Sequence, residues 1–208
     1  MAEFHKPARV PGSAFDNVRG GVDPAEANRI AHETATALLA RVRADPQPDV
    51  VDRLVEYTDD NGIDAIAELW SHAAPHSLPG ALWRIYLLRL VITRDPDQTS
   101  YLFQRGAEAM STIDPVVAGA RTPTGPAEIT ELADRILRGL FQGDFAGALE
   151  RAAAFCRVIG TGCTALADEA DLMHPERASE LTTRGARYAK TAGELDVCAR
   201  LWRDNALD

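Results

Sequence analysis

The sequence predicts an all-α fold, and three observations support this prediction. Proline recurs just where helical periodicity begins, and proline is favoured in the first turn of a helix. Apolar residues then follow a helical spacing, and no segment alternates apolar and polar residues over five positions as a strand would. The connections are mostly about two to six residues long, which makes successive helices antiparallel neighbours. We therefore expect about seven to nine helices in a compact bundle or a short stack of antiparallel helical hairpins.

The first two helices are marked by their flanking residues. Asp23-Pro24-Ala25-Glu26 combines an N-cap acid, a proline in the first turn and a glutamate at the third helical position. The helical spacing that follows ends at Asp45-Pro46. A second helix is predicted over Asp49–Asn61, because Gly62 follows it and glycine is typical just beyond a helix C-terminus.

The fourth predicted helix is the most apolar of the chain. A short third helix precedes it over Ile63–Pro75, and Ser77 then caps the fourth, which begins with Leu78. The segment Leu82–Ile92 is apolar almost all round. Because a helix that is apolar on most faces usually has neighbours on several sides, we expect this one to be the central helix of the core.

The next segment contains the longest predicted irregular stretch. A fifth helix is predicted from Asp95-Pro96 to about Met110. Residues 114–125 contain two prolines and two glycines, so we expect an irregular segment there and a candidate subdomain boundary. A sixth helix opens at Pro126, which repeats the start signal of the first helix.

Two long helices complete the prediction. The seventh runs from Phe145 to about Met173, with a bend expected at Gly160-Thr161-Gly162. The last runs from His174 to Trp202, with a break expected at Gly193.

The chain is expected to form one helical domain, residues 23–208, preceded by a flexible N-terminal arm, residues 1–22. The arm is polar and contains several prolines and glycines, so no signal peptide is predicted in it. Phe15 and Val18 are apolar anchors within it, next to Arg19. These three residues are candidates for an interaction, either with the domain itself or with a partner or second subunit.

Composition and charge argue against several classes of function. The 208 residues are 46% apolar and carry a formal net charge of −9. No block of about 50 residues is net basic, so attraction to nucleic acid or to anionic lipid gets no global support. No segment approaches the roughly 20 apolar residues of a membrane span. We therefore expect a protein without a membrane segment.

The cysteines are predicted to be core residues. Cys156, Cys163 and Cys198 lack the closely spaced pairs that preorganise a structural zinc site. Unpaired cysteine is among the most buried residue types. An odd number of cysteines without an export signal indicates a reducing cytoplasm. No metal, no cofactor and no catalytic set of residues is predicted.

One candidate pocket combines aromatic rings with imidazoles. Trp70, Trp83 and Tyr86 could line it, and His72 or His76 could supply a polar group. The two histidines are four residues apart, but a proline lies between them and no acidic or thiol ligand is near. A shared metal is therefore not predicted there.

Three short strings resemble a known family. They are Phe15–Glu26, Leu78–Tyr86 and Gly143–Leu149, and they look like a conserved hypothetical protein family of actinobacteria. The resemblance covers most of the chain and fits a cytoplasmic protein from a GC-rich bacterium. It implies no activity.

The leading functional interpretation is a non-enzymatic, protein–protein interaction or regulatory protein that works through a helical groove or as a homodimer. The alternative is a small-molecule-binding or enzymatic helical domain that uses the aromatic pocket. A third interpretation is nucleic-acid binding through a stripe of cations on the last helix, although glutamates interleave with them. The members of this stripe are Arg177, Arg184, Arg187 and Lys190.

Overall fold

A computed structural model describes residues 23–44, 69–119 and 124–208. Within these ranges every regular element is an α-helix and no residue belongs to a strand. The prediction of an all-α fold is confirmed. None of the helices in these ranges is long and apolar enough to cross a membrane. The arm with Phe15, Val18 and Arg19, and the predicted helix Asp49–Asn61, lie outside the described residues.

Seven helices have both ends within the described residues, and six of them carry a proline at the first or second position. They are α1 (Pro24–Ala44), α2 (Leu78–Arg94), α3 (Pro96–Ala109), α4 (Asp114–Ala118), α5 (Pro126–Gln142), α6 (Phe145–Ala170) and α7 (Pro175–Arg203). Residues 69–71 are also helical, where the predicted third helix approaches its end.

Side-chain caps explain several of the helix starts. Ser77 Oγ accepts a hydrogen bond of 3.2 Å from the backbone N–H three residues later, at the start of α2. Asp95 Oδ1 accepts the equivalent bond of 3.0 Å at the start of α3. Such caps satisfy backbone donors that have no partner inside the helix. The predicted starts of these two helices are confirmed.

The segment that was expected to be irregular contains the short helix α4. This helix ends at Gly119, whose φ of +79° favours glycine. Arg157 of α6 holds α4 in place, because its Nε lies 2.7 Å from Asp114 Oδ1 while its Nη1 lies 2.7 Å from Asp196 Oδ2 of α7. The helices before and after the segment contribute to one buried apolar cluster.

The central helix is α6, so the expectation that α2 is central is wrong. Sixteen of the 26 residues of α6 are buried, and α2, α3, α4, α5 and α7 all contact it. Many of the buried residues are alanine or glycine, which lets several helices approach its axis. On α2, in contrast, Leu87 and Val91 are 36% and 39% exposed.

Helices α6 and α7 form a long antiparallel hairpin. A four-residue turn, residues 171–174, joins them, and they share the most extensive contact of any helix pair described. The break expected at Gly193 does not occur, and both helices continue without interruption through Gly160 and Gly193. Their mutual packing compensates for the low helix propensity of glycine.

Two glycines let α3 and α6 cross in backbone contact. A Cβ atom on Gly106 would lie 1.9 Å from the carbonyl oxygen of Val158. A Cβ atom on Gly162 would lie 2.0 Å from the carbonyl oxygen of Leu102. No side chain can occupy either position unless the two backbones separate.

We predict that Gly106→Ala or Gly162→Ala lowers the free energy of unfolding by about 3 kcal/mol or more, because the added methyl group must push two helices apart. Gly193→Ala is the matched control. Gly193 lies in α7 with nothing within 4 Å of an added Cβ. This change should raise the free energy of unfolding by about 0.5–1 kcal/mol. Urea-induced unfolding followed by circular dichroism measures all three. Equal effects at the three positions would contradict the close crossing.

Candidate functional site

An open groove lies between α2 and α7, with α6 at its floor. Its volume is about 790 Å³. The lining residues come from α2 (Arg84, Leu87, Leu88, Val91), α6 (Cys156) and α7 (Ser179, Glu180, Thr183, Arg184, Arg187, Tyr188, Thr191). We call this surface the α2–α7 groove.

The centre of the α2–α7 groove is apolar. Leu87 and Val91 are one helical turn apart on α2 and are both partly exposed to the groove. Leu88 is 6% exposed and continues this apolar wall into the core. Tyr188 of α7 faces them and packs against the core cluster. Apolar surface is therefore left uncovered along both sides of the groove.

A partly buried ion pair links α2 and α7 beside the groove. Arg84 Nε lies 2.6 Å from Glu194 Oε2, and the two side chains are 17% and 13% exposed. Arg84 Nη1 also donates a 2.9 Å hydrogen bond to the carbonyl oxygen of Gly80. The charge of Arg84 is thus neutralised within the fold, and this pair anchors α7 to α2.

Arg184 has a neutral partner instead of a carboxylate. Its Nη1 donates a 2.8 Å hydrogen bond to Gln98 Oε1, and its guanidinium lies 5.9 Å from the centre of the Tyr188 ring. Burial raises the pKa of Tyr188, while the positive charge of Arg184 opposes that increase. Arg184 therefore presents a net positive charge at the edge of an apolar surface.

Arg187 adds a second positive charge. It lies on the exposed rim of α7, and no acidic partner lies within ion-pair distance of it among the described residues. Glu180 is the one acidic residue in the lining. The groove is therefore locally cationic in a chain whose net charge is −9, a polarity that favours an acidic ligand.

The structure places the five residues of the predicted aromatic pocket in several different surroundings. Trp70 is 3% exposed, and its Nε1–H donates a 3.2 Å hydrogen bond to Thr34 Oγ1 of α1. The Trp83 and Tyr86 rings contact each other on α2, with centroids 5.7 Å apart. Neither ring lines the α2–α7 groove.

The two histidines of that prediction lie near the start of α1 and in the turn before α2. His72 lines a hollow of about 350 Å³ with Pro24, Asn28 and Leu69. His76 is exposed, and it does not line this hollow. Within residues 23–44, 69–119 and 124–208, no group of three or more histidine, cysteine or acidic side chains could hold a metal ion.

Three residues of the groove are not predicted as functional residues from the sequence. The apolar face of Leu87 and Val91 looked like part of the core, because α2 is apolar on nearly every side. Arg187 looked like part of a solvated helix face. The signal that could have revealed the groove is the excess of apolar residues on α2 beyond what one buried face requires.

In comparisons with known proteins, no family model, no curated protein and no solved structure matches this chain.

The three cysteines are unpaired and buried, as the sequence predicts. Burial raises the pKa of the Cys156 thiol to about 12 and that of Cys198 to about 11, because desolvation disfavours the thiolate. Burial also raises the pKa of Cys163. Although Cys156 lies at the floor of the groove, it is a neutral apolar group there.

We predict that none of the three thiols reacts rapidly with Ellman's reagent in the folded protein at pH about 8, since reaction requires an accessible thiolate. All three should react within seconds in denaturant. Absorbance of the released chromophore measures both. A thiol in the folded protein that reacts as fast as free cysteine would contradict the burial of these side chains.

Proposed function

We propose that this chain is a non-enzymatic interaction protein that binds an apolar, acidic segment of a protein partner in the α2–α7 groove. The observation that carries the proposal is an open apolar surface with a cationic rim on a long, continuous helix. A cytoplasmic location belongs to the same proposal, and three unpaired thiols are compatible with it.

The length of the groove favours a protein segment. Its lining extends along α7 from Ser179 to Thr191. At a rise of 1.5 Å per residue this distance is roughly 18 Å, or about three helical turns. A small-molecule site normally encloses most of its ligand. A groove that is open along this length leaves one side of its occupant in solvent, as a docked peptide segment does.

The distribution of polarity in the groove resembles a protein–protein interface. Leu87 and Val91 provide an apolar centre, and the hydroxyl groups of Thr183 and Thr191 lie on the polar rim. Interfaces typically combine an apolar core with a polar rim, and tyrosine and arginine are enriched in them. Tyr188 and Arg187 supply both residue types here.

The second candidate function is binding of a small amphipathic carboxylate in the same groove. Its support is the volume of about 790 Å³, which lies in the range of small-molecule sites. The nucleic-acid interpretation has less support, because the centre of the groove is apolar and a phosphate backbone has nothing to pair with there. The experiment below separates the two leading candidates.

We predict that fluorescein-labelled helical peptides of about 12 residues, which match the groove length, bind in the order acidic, neutral, basic. Each peptide carries the same leucine face and differs only in its flanking charges. Val91→Glu should weaken binding of the acidic peptide at least about tenfold, because it places a carboxylate in the apolar centre. Fluorescence anisotropy measures the dissociation constants.

Val116→Glu is the matched control, because Val116 lies on α4, is 78% exposed and does not line the groove. This variant should bind the acidic peptide as the unmodified chain does. Peptide binding that depends neither on the flanking charges nor on Val91→Glu would overturn the proposal. A thermal stabilisation by dodecanoate that Val91→Glu abolishes, with no peptide bound, would establish the small-molecule function instead.

A further inference from the structure

The turn between α6 and α7 presents two large apolar side chains to solvent. Leu172 is 92% exposed and Met173 is 78% exposed. They are adjacent in sequence and lie at the end of the longest helical hairpin described. An exposed Leu–Met pair at a protruding end is a natural anchor for an apolar surface.

Acidic residues surround this pair. Asp168, Asp171 and Glu176 are exposed, and none of them has an ion-pair partner among the described residues. Glu169 also lies there and is paired with Arg105 of α3. We call Asp168–Glu176 the acidic tip. The acidic tip combines apolar side chains with negative charge, which are the two properties of the segment that we propose binds in the groove.

The charges of α7 reverse beyond the tip. Residues 181–193 contain three cations, Arg184, Arg187 and Lys190, and no acidic residue. Of these, Lys190 lies 3.9 Å from Glu194, while Arg184 and Arg187 line the groove. An acidic end followed by a basic stretch is complementary to a second copy of itself in the antiparallel direction.

We propose that the acidic tip of a second copy of this chain occupies the α2–α7 groove, in a twofold-symmetric dimer with the two α7 helices antiparallel. This inference rests on the proposed function, because it names the partner of the same groove. Leu172 and Met173 of one copy contact Leu87 and Val91 of the other, and the tip carboxylates approach the arginine rim.

The tip cannot fill the groove of its own chain. The groove centre on α7 is near Gly185, about 15 Å along the helix axis from Pro175, where the tip meets α7. Because α7 is continuous, this separation is fixed. A twofold axis that is perpendicular to α7 and passes beside it, midway between tip and groove, places each tip over the groove of the other copy at the same separation. Both grooves are then filled, and the assembly closes.

Sedimentation velocity of the full chain over a range of micromolar concentrations tests this proposal. The unmodified chain should show a concentration-dependent monomer–dimer equilibrium. The tip variant, Leu172→Glu with Met173→Glu, and the groove variant, Val91→Glu, should each weaken the dimer at least about tenfold. The control Val116→Glu should leave it unchanged. All of these positions are exposed or partly exposed, and circular dichroism checks that each variant folds.

Mixing the two variants tests the pairing itself. In a dimer of one tip variant and one groove variant, one of the two contacts is intact. The unmodified tip of the groove variant meets the unmodified groove of the tip variant. The mixture should therefore associate more strongly than either variant alone. Raising NaCl to about 0.5 M should weaken the dimer of the unmodified chain, because the ion pairs at the rim are screened.

Several results would overturn the inference. They are a chain that stays monomeric at every concentration, a dimer that persists in either variant, or a mixture that associates no better than its components. The acidic peptide assay on the tip variant, whose groove no tip can fill, reports on the groove alone. Peptide binding with no dimer would reject the second copy as partner and leave the proposed function intact. Loss of both peptide binding and dimer formation would reject the groove as a binding site.

Discussion

The architecture depends on how closely other helices can approach α6. At Gly106 and Gly162 the backbones of α3 and α6 touch, and at Gly160 and Gly185 a similar approach brings α7 against α6. A Cβ atom on Gly185 would lie 3.1 Å from the carbonyl oxygen of Gly160, so larger side chains would hold α7 away. These contacts bury α6 on nearly all sides and produce dense packing from small residues.

The α2–α7 groove lies beside this tightly packed hairpin. The ion pair between Arg84 and Glu194 joins α2 to α7. Beyond this pair the two helices are separated, and Leu87 and Val91 remain uncovered. The groove is thus the space between α7, which packs along α6, and α2, which packs mainly against α1 and α5. In the proposed function, this apolar surface provides the free energy for binding a partner.

Local signals predicted the helices well but not their arrangement. Proline and capping residues such as Ser77 and Asp95 act within one turn, so their effect can be read from the sequence. The arrangement of the helices depends on contacts between residues that are far apart in the sequence. Gly160 and Gly193 are indistinguishable as helix breakers, yet one lies in a tight crossing and the other faces open space. The apolar α2 looked central because its sequence does not show which apolar face remains uncovered.

In the proposed dimer, the α2–α7 groove receives the acidic tip of another chain. The most direct measurement replaces Val91 with the photoreactive residue p-benzoylphenylalanine, irradiates the full chain in solution and maps the cross-link by mass spectrometry. We expect a covalent dimer in which position 91 of one chain is joined to a residue within 168–176 of the other. Cross-links confined to one chain, or joined to any other segment of a second chain, would contradict it.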